Sequence, residues 1–303
     1  MMPLNIAVIG QTGQLARALT SRARTTPHKL TCYGRDALDL TCEPDQVTQF
    51  INSINNVDVI INAAAYTAVD KAEDDAIMAF KVNAETPGTF AKICAEKNIP
   101  FIHISTDYVF NGQSSAPYKP NEPTDPLGVY GASKLAGEEA ILESAGRASI
   151  LRTSWVYDGT GQNFFTTMLR LAQDRSELNV VSDQFGRPTY AGHLADAALR
   201  TAEVLQAGGA DASGVFHVSN SGKNIHWADF ASSIFAVSRA YITHDINVNG
   251  ITSAQYPTRA KRPAYSVLDI TRFEKTFQMK LPDWREGLKE AVAEWVEHQS
   301  LGD

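Results

Sequence analysis

The run Leu4-Asn5-Ile6-Ala7-Val8-Ile9-Gly10-Gln11-Thr12-Gly13-Gln14-Leu15-Ala16 decides the reading of the fold. Leu4 to Ile9 is a short apolar stretch that reads as a strand buried on both faces of a parallel sheet. Leu15, Ala18 and Leu19 then begin a helical pattern. Between the two, Gly10 and Gly13 let the chain turn tightly and approach a pyrophosphate, whose charge rests on the helix N-terminus. The spacing is Gly-x-x-Gly-x-x-Ala, a variant of the dinucleotide fingerprint with Ala16 in the third place. Such a loop alone is often only a turn. Here it follows the first strand of an alternating strand and helix series, which points to a bound cofactor.

The alternation continues through the first half. A strand over Leu30 to Tyr33 ends in Gly34-Arg35-Asp36, where an arginine can pair with a 2'-phosphate and an acidic residue with a ribose 2'-hydroxyl. Arg35 therefore tilts the reading toward NADPH, with NADH possible because Asp36 and Asp39 lie close by; Asp39 and Leu40 are placed at the adenine end. A helix around residues 43 to 54 precedes a strand over Val57 to Ile61, which runs into Asn62-Ala63-Ala64-Ala65-Tyr66-Thr67. These small residues let a flat cofactor pass close to the backbone. A helix from Glu73 to Lys97, broken near Thr86-Pro87-Gly88, leads to the strand Phe101 to Ser105, which delivers Thr106 at its carboxyl end. Asn111 to Gly128, with prolines at 117, 120, 123 and 126, is a long loop, and Ser149 to Thr153 is read as a sixth strand. The class is α/β: a Rossmann-like doubly wound parallel sheet over residues 1 to 154. Residues 155 to 303 form a smaller mixed region for substrate, with segments near 190 to 220 returning to the first domain.

The chemistry sits at Tyr130-Gly131-Ala132-Ser133-Lys134. In a helix over residues 130 to 144 the phenol and the ammonium lie one turn apart on the same face. A free tyrosine ionises near pH ~10, and a neighbouring positive charge favours the phenolate. Lys134 supplies that charge, a hydroxyl from Thr106 or Ser105 holds the substrate oxygen or the phenol, and Tyr130 protonates a carbonyl that is receiving a hydride. The tyrosine and lysine pair is weak as a motif by itself, and its context in the alternating fold gives it meaning.

The charge balance, 27 basic against 34 acidic residues for a net charge of -7, argues against a general affinity for nucleic acid or acidic membranes. No apolar run approaches the ~20 residues that span a membrane. Three cysteines without a Cys-x-x-Cys spacing, and no signal sequence ahead of the first strand, fit a cytoplasmic protein. The seven histidines show no metal spacing and read as surface or packed residues. One basic cluster, Arg259-Ala260-Lys261-Arg262-Pro263, is either an exposed charged turn or, with Arg187, a clamp on a phosphorylated ligand.

Several segments together carry a resemblance that spans nearly the whole chain. They are Gly10 to Leu15, Asn62 to Glu73, Ser105 to Phe110, Tyr130 with Lys134, Arg152 to Tyr157, Asn163-Phe164, Thr167 to Ala172, Asp183 to Thr189, Tyr256-Pro257-Thr258 and Arg262-Pro263. With them the sequence resembles the extended short-chain dehydrogenases, and within these the dTDP-4-dehydrorhamnose reductases. The resemblance implies reduction of a nucleotide-linked 4-keto-6-deoxy-hexose in rhamnose biosynthesis. It implies Tyr130 as proton donor, Lys134 as the residue that binds the nicotinamide ribose and lowers the phenol's pKa, and Thr106 as assistant. It also implies cofactor contacts at Gly13, Gln14, Leu15, Asp39, Leu40, Ala65, Tyr66 and Thr67, and a sugar nucleotide contact at Trp155. Two positions depart from the family pattern. Ala16 replaces a common glycine, and Ala18 and His193 stand where some dimeric relatives hold a magnesium ion with glutamates, so no metal site is expected and the chain is read as monomer or homodimer. Rival readings are an epimerase or dehydratase of the same superfamily, disfavoured by Asp107-Tyr108 in place of an Asp-Glu pair, and a non-catalytic relative of the regulatory subunit of methionine adenosyltransferase.

Overall fold

The computed structural model describes residues 2–302. Its first half runs β1 (Asn5–Ile9), α1 (Gln14–Ala23), β2 (Lys29–Tyr33), α2 (Pro44–Ser53), β3 (Val59–Asn62), α3 (Val69–Ala72), α4 (Ala76–Phe80), α5 (Thr86–Glu96), β4 (Phe101–Thr106), α6 (Val129–Glu143) and β5 (Ala148–Thr153). These strands and Gly214–His217 form one parallel sheet in the order Gly214–His217, β5, β4, β3, β1, β2. Ser149 to Thr153 thus lies in the fifth strand in chain order, not the sixth; the sixth member comes from the second half, at the edge beside β5.

Alternate residues of the strands feed opposite layers, which is why they read as continuous apolar runs. Ile6, Val8 and Ile61 pack with Leu15 and Leu19 of α1 and with Leu194 and Ala198 of the helix Ala191–Gln206. Ala7, Ile9 and Ile60 pack on the other side with Val47 and Phe50 of α2, Phe90 of α5 and Ile141 of α6. Each fully buried aliphatic side chain in these layers contributes about 1.5–3 kcal/mol. A third cluster, around Phe165, Phe230, Trp284 and Leu288, is the core of the second half. There the helices Phe164–Leu171, Trp227–Val237 and Trp284–Gly302 pack with short two-stranded pairs.

The expected break in the helix before β4 is a π-helical turn, Lys81–Glu85, immediately ahead of Pro87 in α5. The widened turn turns Asn83 inward. Its side chain accepts from the Tyr66 amide at 2.8 Å and donates to the Tyr66 carbonyl at 3.0 Å and to Ser133 Oγ at 3.0 Å. One asparagine therefore ties the segment after β3 to α6. The chain steps from β1 outward to β2, then crosses back to β3, so the reversal lies between β1 and β3. In open parallel sheets ligands bind at such a switch, beyond the carboxyl ends of the strands.

Candidate active site

Three strand ends meet at this switch. β1 ends in Gly10, whose φ of +114° is a backbone region side chains rarely adopt. Gly13 then precedes α1, which has no side-chain cap and no acidic residue in its first turn. The amides of that turn are left for an anion. Gln14 donates to the Val156 carbonyl at 3.3 Å, while its buried Oε1 has no partner among the described residues. Leu15 is buried in the core, so its backbone rather than its side chain faces the loop. Arg35 lies just past the tip of β2 with its side chain 87% exposed, 4.0 Å from Asp39. Hydrogen bonds from Thr41, with the Arg35 charge, hold the Asp39 carboxyl below its ordinary range. Leu40 is buried, and its carbonyl accepts from the Thr86 hydroxyl at 2.7 Å. Ala65 and Tyr66 are half-buried and Thr67 exposed, on the segment that Asn83 holds.

Tyr130 and Lys134 both lie on α6, one turn apart as the spacing predicts. The helix reaches the end of β4 because Gly131 has no side chain, since a Cβ there would collide with the Tyr108 carbonyl. Tyr130 packs edge-on against Tyr108, ring centroids 5.8 Å apart, and lines a narrow cleft with Gly131, Glu73, Lys261 and Pro263. Burial pushes its phenol up to about 12; a hydrogen bond with Thr106 pulls it back and the Asp107 charge pushes it further up. The acidification expected from Lys134 is absent from the protein's own electrostatics, because the lysine is committed elsewhere. Its Nζ, 1% exposed, lies 2.9 Å from His103 Nε2. Burial brings the ammonium down to about 7, with Glu138 pulling it back up.

Thr106 Oγ1 donates to Asp107 Oδ1 at 3.1 Å and accepts from the Tyr108 amide at 3.2 Å. Ser105 points to the opposite face. Its hydroxyl donates to Glu138, so the sequence-based placement of Ser105 on the substrate is corrected by the alternation of β4. Glu138 is in turn bound by Arg152 of β5, through Nη2 at 2.6 Å and Nε at 2.9 Å, a fully buried pair. Two rungs thus join β4 to α6: His103 with Lys134, and Ser105 with Glu138.

The remaining predicted residues lie on the second half's side. Trp155 lies two residues past the end of β5 with φ of +48°, and its indole is stacked at 3.6 Å on Trp227, with Gly186 close beneath it. Arg187 is buried; its Nε donates to Asn224 at 3.0 Å and it forms no ion pair among the described residues. The basic cluster is not a set of free cations: Arg259 pairs with Asp74, and Arg262 with Asp70 at 3.1 Å. Those pairs hold the segment over the Tyr130 cleft. Sequence reasoning missed Asn62, His103, Asp107 and Glu138. The available signal was polar residues set within, or next to, apolar parallel strands, since buried polar groups are kept where they are bonded.

Comparison with known proteins gives the family. A model of the RmlD substrate binding domain family matches residues 4–297. A dTDP-4-dehydrorhamnose reductase of Sinorhizobium fredii is 43% identical over 290 residues, covering 95% of this chain and 97% of its own. That of Escherichia coli K12 is 40% identical over 296 residues, with 96% and 98% covered. Among solved structures, the dTDP-4-dehydrorhamnose reductase of Bacillus anthracis in complex with NADP superposes with a TM-score of 0.88 at 33% identity, over 97% of this chain and 100% of that one. The Clostridium acetobutylicum protein gives 0.87 at 34%, over 96% and 99%. Matched over nearly its whole length in sequence and in fold, this chain belongs to the dTDP-4-dehydrorhamnose reductase family.

Proposed function

We propose that the protein catalyses the NADPH-dependent reduction of the C4 ketone of dTDP-4-dehydro-L-rhamnose to dTDP-L-rhamnose, as a cytoplasmic enzyme of rhamnose biosynthesis. The carrying observation is Tyr130 of α6, packed on Tyr108 and lining a cleft beside the carboxyl end of β4, in a chain with full-length kinship to such reductases. The protein fits the cofactor: Gly10 gives a tight turn, the first turn of α1 offers uncapped amides, and Arg35 is an exposed cation beyond β2, held only by a loose 4.0 Å pair with Asp39. Gly10, Gly13, Gln14 and Leu15 would hold the pyrophosphate, Arg35 the 2'-phosphate, Asp39 and Leu40 the adenine end, and Ala65, Tyr66, Thr67 and Lys134 the nicotinamide half.

Bound NADPH supplies the hydride. Tyr130 keeps its proton at neutral pH, since burial raises its phenol, and gives it to the oxygen that develops negative charge at C4. Lys134, once charged, lowers the cost of the phenolate left behind. Arg187, a buried cation partnered by an amide rather than a carboxylate, suits a phosphate of the sugar nucleotide, to which Trp155 and Arg262 are also assigned.

The test is to present the protein with dTDP-4-dehydro-L-rhamnose and follow NADPH absorbance. Net oxidation separates a reductase from an epimerase or dehydratase, which regenerate their nicotinamide, and from a non-catalytic regulatory subunit. Tyr130→Phe is expected to lower turnover by about 10²-fold or more while leaving cofactor affinity nearly unchanged. Equal turnover in that variant removes the assignment.

A further inference from the structure

His103 and Asn62 stand behind the active site, and neither touches the cleft. Asn62 at the end of β3 is 1% exposed and His103 in β4 is fully buried. Three contacts link them to the catalytic helix: Ala64 amide to Asn62 Oδ1 at 3.1 Å, Asn62 Nδ2 to His103 Nδ1 at 3.1 Å, and His103 Nε2 to Lys134 Nζ at 2.9 Å.

The polarity of this chain follows from its first member. A backbone N–H can only donate, so the amide oxygen of Asn62 faces Ala64 and its NH₂ faces His103. His103 Nδ1 must therefore accept, which places the ring hydrogen on Nε2, directed at Lys134. An ammonium cannot accept that hydrogen; a neutral amine can. If Lys134 were charged, Nε2 would have to accept and Nδ1–H would oppose the Asn62 NH₂. Rotating the asparagine only moves the clash of two donors to Ala64. Burial acts in the same direction, lowering Lys134 to about 7 and His103 well below its ordinary value. The other groups around the lysine are few. Tyr130 and Glu138 flank it on α6, Glu138 is neutralised by Arg152 of β5, and Asp107 follows β4.

We propose that Asn62 and His103 are positioning residues that hold Lys134 as a neutral amine in the protein alone, so that binding of the cofactor is linked to uptake of one proton at this lysine. The second part rests on the cofactor reading given above; the first does not. An anionic dinucleotide favours the ammonium, the proton comes from solvent, and the amine changes only its protonation. The lysine charge that aids Tyr130 is thereby present only when the cofactor is.

Two measurements test this. In protein carrying ¹⁵N-histidine at about pH 8, the His103 resonances, identified by their loss in His103→Gln, are expected to show the Nε2–H tautomer; the Nδ1–H tautomer or an imidazolium overturns the proposal. NADP⁺ titrated calorimetrically at about pH 8 in buffers of different ionisation enthalpy is expected to take up about one proton per site, falling toward zero near pH 6. Heat without buffer dependence overturns the link. Absence of binding heat at saturating NADP⁺ instead sinks the cofactor reading and with it the link, while the tautomer still decides the state of Lys134. In Asn62→Asp the carboxylate accepts from both Ala64 and Nδ1–H, which lets Nε2 accept from an ammonium, and proton uptake at pH 8 is expected to vanish.

Discussion

Asp107→Asn tests the electrostatics of the site through stability, without substrate. Asp107 opens the 3₁₀ turn Asp107–Val109, is 2% exposed, and has one oxygen, Oδ2, without a partner among the described residues. Burial raises its carboxyl from 3.8 to about 7, against hydrogen bonds from Ser266 and Thr106 that lower it. Because the folded value lies above the unfolded one, the native state binds the extra proton between about pH 4 and 7, and stability falls as pH rises through that window. A rise of roughly three pH units corresponds to about 4 kcal/mol once the group is fully ionised, of which about 1.7 kcal/mol is already felt at pH 5. Asparagine does not titrate. The stability of Asp107→Asn relative to the parent is therefore expected to grow by about 2.5 kcal/mol between pH 5 and pH 8, measured by urea unfolding at the two pH values. The ionised carboxylate also takes the single Thr106 hydrogen, whereas an amide can donate to Thr106 and release that hydrogen toward the substrate. A stability difference that stays constant within about 0.5 kcal/mol across this range would refute the claim that Asp107 is a carboxyl held largely protonated by burial.

Glu138→Gln leaves the Arg152 guanidinium buried without its charge partner and is expected to cost about 3–5 kcal/mol in urea unfolding; replacing both residues with apolar ones of similar volume should recover most of that loss. Arg35→Ala should weaken NADPH binding by about tenfold, the scale of one charge-assisted contact, and leave NADH affinity unchanged, as read from paired fluorescence titrations. An equal effect on both cofactors would remove Arg35 from the 2'-phosphate.

How much was legible in the sequence depended on how local each cause was. The turn at Gly10 and Gly13, and the tyrosine and lysine one turn apart, are fixed by neighbours within a few residues. Ser149 to Thr153 is the fifth strand along the chain, and that Gly214–His217 joins the sheet at its edge is a matter of pairing, which periodicity does not record. The break before β4 was placed at Thr86-Pro87-Gly88, but its form as a π turn belongs to Asn83, whose partners Tyr66 and Ser133 are remote in the chain.

The alternating apolar runs, the glycine turn and the residue types near Tyr130 were determined by sequence alone, because backbone periodicity and side-chain chemistry are carried residue by residue. Which groups meet was decided by the tertiary structure. Packing β4 against α6 turns Lys134 onto His103 and Ser105 onto Glu138, and folding the 259 to 263 segment back pairs Arg262 with Asp70. Those choices depend on burial and on hydrogen-bond partners distant in the chain, and these are set only when the layers close.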